Sequence, residues 1–285
     1  MRKEIVLPAV AVAGGAVAFG LRRWELATAF EADTGLVIPG SPATYVLIAW
    51  CLVVAAAIFL LSWSTRATLP YDDAFAARGN TVYLTAAVLS AFLMLASVGL
   101  QAISFPGIYQ TYQNARLTAL AQESTLPSLL VIVLPLLLIL LGIVAFLCVL
   151  RIAQGHYRAA GNGKESLPLL GLCLMMCVWL AADYHGRAAD PVILDYVYEV
   201  FAIISVLLGI YFIAGYSFQT GKPRRTIVVA LLGVFFSALT LADHHAPADL
   251  LLYGFAILFL TAHVALLLHN TAGVVPVESE ADTNE

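Results

Sequence analysis

The stretch Leu126 to Leu150, "LPSLLVIVLPLLLILLGIVAFLCVL", is 25 residues long and carries no charged side chain; the first charge after it is Arg151. A helix needs about 20 apolar residues to cross the ~30 Å hydrocarbon layer of a bilayer. This stretch meets that length, so it reads as a transmembrane helix, and the rest of the chain follows the same rule. Hydrophobic residues make up 61% of the 285 residues and charged residues 11%, with a mean hydropathy of +0.91. Soluble domains carry about 25% charged residues, and a chain this apolar could not cover its own surface in water. The sequence therefore predicts an all-α, polytopic transmembrane bundle.

Eight spans are expected, near residues 5–21, 43–63, 81–101, 128–150, 167–183, 192–218, 226–243 and 248–268. Together they form one domain over 1–270, followed by an acidic tail over 271–285, "VESEADTNE" at its end, too polar to fold alone. Pro135 inside span four predicts a kink that neighbouring helices accommodate. Span one is the least regular. It holds Pro8, Gly14 and Gly15, and Ala16-Val17-Ala18 has the small-residue pattern of a signal-peptide cleavage site. Removal of span one would leave seven spans in the same orientation.

Lys and Arg set that orientation, because they accumulate on the cytoplasmic side. Arg2, Lys3, Arg66, Arg78, Arg151, Arg158, Lys164, Lys222, Arg224 and Arg225 fall on one side, and Arg22, Arg23, Arg116 and Arg187 on the other. The majority side, which includes both termini, is predicted to be cytoplasmic in a plasma or inner membrane. Acids concentrate at the opposite end: Glu25, Glu31, Asp33, Glu123, Asp183, Asp190, Asp195, Glu199, Asp243 and Asp249. In the connection 102–127 on that side, "YQTYQNARLTALAQE" (Tyr109–Glu123) predicts a short helix along the interface.

Two spans end alike on the acidic side, "WLAADYH" (Trp179–His185) and "LTLADHH" (Leu239–His245). Histidine suits a helix C-terminus, where the backbone dipole favours cations, and Gly186 reads as a helix stop. Aspartate does not suit that position, so Asp183 and Asp243 ask for cationic partners. In span six Asp190 reads as an N-cap before Pro191, and Asp195 and Glu199, four apart, share a face. Glu199 falls about 12 Å beyond Pro191 at 1.5 Å per residue. An acid at that depth belongs in the bundle interior or a wet cavity, with Tyr198 close enough to hydrogen-bond. Small residues four apart, Ser205 with Gly209 and Gly233 with Ser237, allow spans six and seven to approach closely.

Glu199, Asp195, Asp183, Asp243 and Tyr198 are thus the candidate binding or protonation groups, in an outward-facing acidic pocket that takes protons, a small cation or a small cationic solute. A divalent metal held by Asp183, His185, Asp243 and His245, with Glu199 as general base, is the enzymatic alternative. A sensor or accessory subunit is the third. No nucleophile or metal-ligand motif favours the enzyme. All three lysines lie outside the spans, which leaves none for a retinal Schiff base, and no nucleotide-binding glycine motif or nucleic-acid-binding basic run occurs. Cys51, Cys148, Cys173 and Cys177 lack metal or redox spacing and read as apolar packing residues. His263 lies mid-way along span eight, with His156 and His269 assigned outside the spans. A haem at His263 would therefore lack a second axial histidine.

Overall fold

A computed structural model describes residues 3–31, 33–63, 65, 69–158, 165–187 and 192–272. Its helices are α1 (Lys3–Thr28), α2 (Pro42–Leu61), the single turn α3 (Tyr71–Ala74), α4 (Thr81–Ala121), α5 (Leu130–Arg158), α6 (Ser166–Arg187), α7 (Ile193–Ser217), α8 (Pro223–Thr240) and α9 (Pro247–Ala272). Among the described residues eight helices, all but α3, are long and apolar enough to cross a membrane. The protein is an all-α, multi-pass membrane protein. Asp190 and Pro191, Arg2, Arg66 and Lys164 of the charge count, and the tail beyond Ala272 lie outside the described residues.

Neighbouring helices contact one another in the order α4–α5–α6–α7–α8–α9, and α9 closes back on α4. α1 lies across α8 and α9, and α2 lies on α1. The degree of burial reverses the rule for soluble proteins. In the most apolar 18-residue window of α5, the most apolar helix, 17% of the residues are buried; in α8, the least apolar, 61% are. Lipid solvates the leucines of α5, whereas a helix with Thr226, Ser237 and Thr240 buried along it has to be enclosed by protein.

Small residues set the closest approaches. A Cβ on Gly209 would lie 3.1 Å from the Ala230 Cα, and one on Gly233 would lie 3.2 Å from the Val206 nitrogen. The α7–α8 contact expected from the small-residue pairs is present. In α1 a Cβ on Gly15 would meet the Ala238 Cβ at 2.6 Å, and the Gly14 carbonyl accepts a hydrogen bond from Trp50 Nε1 at 3.0 Å. The glycines that make span one irregular in sequence are what seat it against α8 and α2.

Two boundaries differ from expectation, and a third agrees to within one residue. α4 runs through the proposed interfacial segment; at 41 residues it is about 60 Å long, twice the hydrocarbon thickness. Beyond Pro106 and Gly107 its last turns, Ala115 to Ala121, hold Ala, Leu and one Arg, which propagate a helix without packing. Gly186 is not a stop, since α6 continues to Arg187. α7 starts at Ile193, so Glu199 lies in its second turn.

Gly233→Val forces a branched side chain against the α7 backbone and should cost about 1–3 kcal/mol, read as a lower denaturation midpoint in detergent. Gly20→Ala, where nothing lies within 4 Å, should leave the midpoint unchanged or raise it. Equal midpoints for Gly233→Val and wild type would refute the close α7–α8 contact.

Candidate functional site

Arg22 is the organising residue at the acidic end, and its side chain is fully buried. Its Nε donates to Asp243 Oδ1 at 2.6 Å, and Nη1 to Glu25 Oε2 at 2.7 Å. Nη1 also donates to the Leu194 carbonyl at 3.2 Å, and Nη2 to the Asp195 carbonyl at 2.8 Å. The Tyr198 ring lies under the guanidinium, 5.0 Å from centroid to Cζ, a cation–π distance. One side chain from α1 thus grips the first turn of α7 and the end of α8. Sequence reading places Arg22 and Glu25 in a loop. Their signal is periodicity: Leu7, Ala11, Gly14, Ala18, Arg22, Glu25 and Ala29 are all buried and recur every three or four residues, so the buried stripe of α1 continues straight through the charges.

Next to Arg22 lies a second set of charges centred on Glu199, which is 4% exposed. Arg187 Nη2 donates to Glu199 Oε2 at 2.9 Å, and Arg187 Nη1 lies 3.5 Å from Asp195 Oδ2. His245 Nδ1 is 3.3 Å from Glu199 Oε1, and the Tyr253 hydroxyl donates to the same oxygen at 3.5 Å. Asp183, on α6, lies beside Glu199, near enough for the two carboxyl groups to interact, and its Oδ2 is buried without a hydrogen-bond partner.

Thr240 joins the two sets. Its hydroxyl donates to Asp243 Oδ2 at 2.8 Å, and its carbonyl lies 2.8 Å from His245 Nε2. A carbonyl can only accept, so Nε2 carries a hydrogen. The carboxylate facing Nδ1 calls for a hydrogen there too, and the geometry is that of an imidazolium. Burial opposes that charge, but the hydrogen bond and charge of Glu199, with Asp243, outweigh it and hold His245 above its ordinary value of 6.5. Burial pushes the Asp243 carboxyl up, while Arg22 and Thr240 draw it back only in part.

Five of the seven residues expected from sequence meet in this network: Glu199, Asp183, Asp195, Asp243 and His245. Tyr198 lines it through Arg22, and its role is cation–π contact with Arg22 rather than hydrogen bonding to Glu199. Asp243 finds its cationic partner in Arg22, whereas Asp183 lies beside the Glu199 carboxyl with Arg187 as the neighbouring cation. His185, one turn-step beyond Asp183 on α6, makes no hydrogen bond or ion pair with the network. As a metal set the four residues do not converge, and among the described residues no group of three or more His, Cys, Asp or Glu side chains is placed to hold a metal ion.

His156 and His263 also differ from expectation. His156 belongs to α5 and is buried beside His263, with ring centroids 5.4 Å apart. His263 Nδ1 faces the Phe259 carbonyl at 2.7 Å, so it donates. That fixes the direction of a hydrogen-bonded chain: Tyr71 to His156 Nε2 at 2.7 Å, His156 Nδ1 to Tyr83 at 2.6 Å, and Tyr83 to His263 Nε2 at 3.2 Å. Every nitrogen is satisfied with both rings neutral. His263 thus has a second histidine beside it, in the last turn of α5, but the Tyr83 hydroxyl bridges the two rings where a haem iron would need to lie.

In comparison with known proteins, no family model, no curated protein and no solved structure matches the chain.

Because His245 is held above 6.5, its contribution to stability is complete below its unfolded value of about 6.5 and is lost as pH rises through the higher folded value. The difference in melting temperature between wild type and His245→Gln should therefore shrink from mildly acidic to alkaline pH. A difference that stays constant or grows with pH would contradict the imidazolium assignment.

Proposed function

We propose that the chain is a multi-pass protein of the plasma or inner membrane that binds protons, or a small cation in their place, at the carboxylate network of its acidic end. The charge distribution of the loops supports an outward position for that end. The observation that carries the reading is the crowding of carboxyl groups around Glu199, with Asp183 Oδ2 buried and without a hydrogen-bond partner. Around two arginines and one histidine stand six carboxyl groups, Glu25, Asp183, Asp195, Glu199, Asp243 and Asp249, more than these cations balance, so a proton held between Asp183 and Glu199 fits the arrangement. Protons suit this site better than metal ions, because its oxygens are turned toward guanidinium, imidazolium and hydroxyl donors.

Binding would act on helix positions. Asp183 is on α6 and Glu199 on α7, and Glu199 is tied through His245 to the α8–α9 connection. Loss of a proton held between Asp183 and Glu199 would place two like charges side by side and favour separation of α6 from α7. Glu199 is enclosed on every side, so this is the occluded form of such a site. Transport and proton sensing both use that step; a sensor or accessory subunit is the second reading, favoured by the full set of partners around Arg22.

Infrared difference spectra of the protein in lipid vesicles, taken between acidic and alkaline outer pH, should contain a protonated-carboxyl band. Asp183→Asn and Glu199→Gln should each remove or shift that band. A wild-type spectrum without a carboxyl band, or one unchanged in both variants, would sink the proposal.

A further inference from the structure

At the opposite, basic end, two adjoining cavities meet between α2, α7 and α8. One, of about 350 Å³, has a floor and walls formed by Phe59, Phe212, Val228 and Val229. The other, of about 340 Å³, is bounded by Thr65, Gly221, Lys222 and Pro223. Trp63, Arg224 and Arg225 line both and so form the boundary between a greasy compartment and a cationic one. Among the described residues no acidic side chain lines either cavity.

Two polar atoms of the cationic compartment are buried and lack a hydrogen-bond partner: Arg224 Nη2 and Thr65 Oγ1. Thr65 is 9% exposed. Buried donors of this kind are costly when unmet, and two of them on residues that line one cavity indicate an acceptor that belongs there. The Arg224 guanidinium is also held in place, 3.7 Å from the Trp63 ring centroid and 4.3 Å from that of Phe59. A stacked guanidinium keeps its edge free to donate to phosphate oxygens.

We propose that this pair of cavities binds one anionic phospholipid. Its phosphate accepts from Arg224 Nη2 and Thr65 Oγ1, with Lys222 and Arg225 balancing the charge. One acyl chain runs along Phe59, Phe212, Val228 and Val229 into the hydrocarbon layer. The juxtaposition fits an amphiphile better than a free anion, because one of the two cavities is lined mainly by apolar side chains of helices long enough to span the membrane. Val228 is one turn from Arg224 on α8, about 6 Å deeper at 1.5 Å per residue, which is the direction a chain takes from its headgroup.

The test uses the full-length protein, delipidated in detergent and mixed with phosphatidylglycerol or with phosphatidylcholine of identical acyl chains, and counts bound lipid by native mass spectrometry. Phosphatidylglycerol should be retained preferentially. Arg225→Gln, which alters an exposed side chain, should weaken that retention about fivefold. Thr65→Val, which removes only an unpartnered hydroxyl, should weaken it also. Equal retention of the two lipids, wild-type retention by both variants, or equally strong binding of glycerol phosphate without acyl chains would each overturn the assignment.

Discussion

A guanidinium does not remain inside a helical bundle unless its charge and its donors are met, and the acidic end of this protein is arranged to meet those of Arg22. Two carboxylates and two backbone carbonyls accept from it, and an aromatic ring covers one face. The cost of desolvating such a charge is several kcal/mol even after relaxation, so each of these partners has to be in position at once. α1 must lie against α8, α7 must begin beside them, and the α8–α9 connection must turn where Asp243 reaches inward. Removing any one of these leaves an uncompensated charge in the interior.

The same constraint explains why the neighbouring carboxylates lie so close together. Arg22 takes Asp243 and Glu25, and Arg187 takes Glu199 and Asp195. With the arginines engaged by other carboxylates, Asp183 lies beside Glu199 as a like-charge neighbour, an arrangement that favours keeping a proton on the pair. Chemistry at this end therefore follows from a count of charges, whereas the middle of the bundle is apolar and the basic end relies on neutral hydrogen bonds. There the Tyr71–His156–Tyr83–His263 chain is closed without any net charge, its direction fixed by one carbonyl. α9 joins both regions, with Tyr253 at one end and His263 toward the other.

The fold was legible because a bilayer imposes its length on every span: the eight apolar runs and their approximate ends could be found by counting. Gly209 and Gly233 likewise announced the α7–α8 contact. Part of the site was legible for a physical reason too, since Asp183 and Asp243 sit where a helix dipole repels an anion and so must be compensated. What compensates them was not legible. Arg22 follows an irregular run and stands beside Arg23, so it resembles a loop charge until the buried stripe of α1 is traced through it. His156 likewise resembles the polar trim of a helix end, because its pairing with His263 spans over a hundred residues of chain. Helix ends were misjudged where polar residues propagate a helix beyond the membrane, as in α4, or where a partner such as Glu199 holds the last turn of α6 past Gly186.

The most direct measurement is a double-mutant cycle between Arg22 and Asp243, using Arg22→Met, Asp243→Asn and the double variant, with unfolding followed in detergent. If the buried pair organises the acidic end, each single variant is strongly destabilised and the double variant recovers much of the loss. The coupling should fall in the upper part of the range of about 0.5–3 kcal/mol seen for contacting groups. Additive losses, with no recovery in the double variant, would contradict the account.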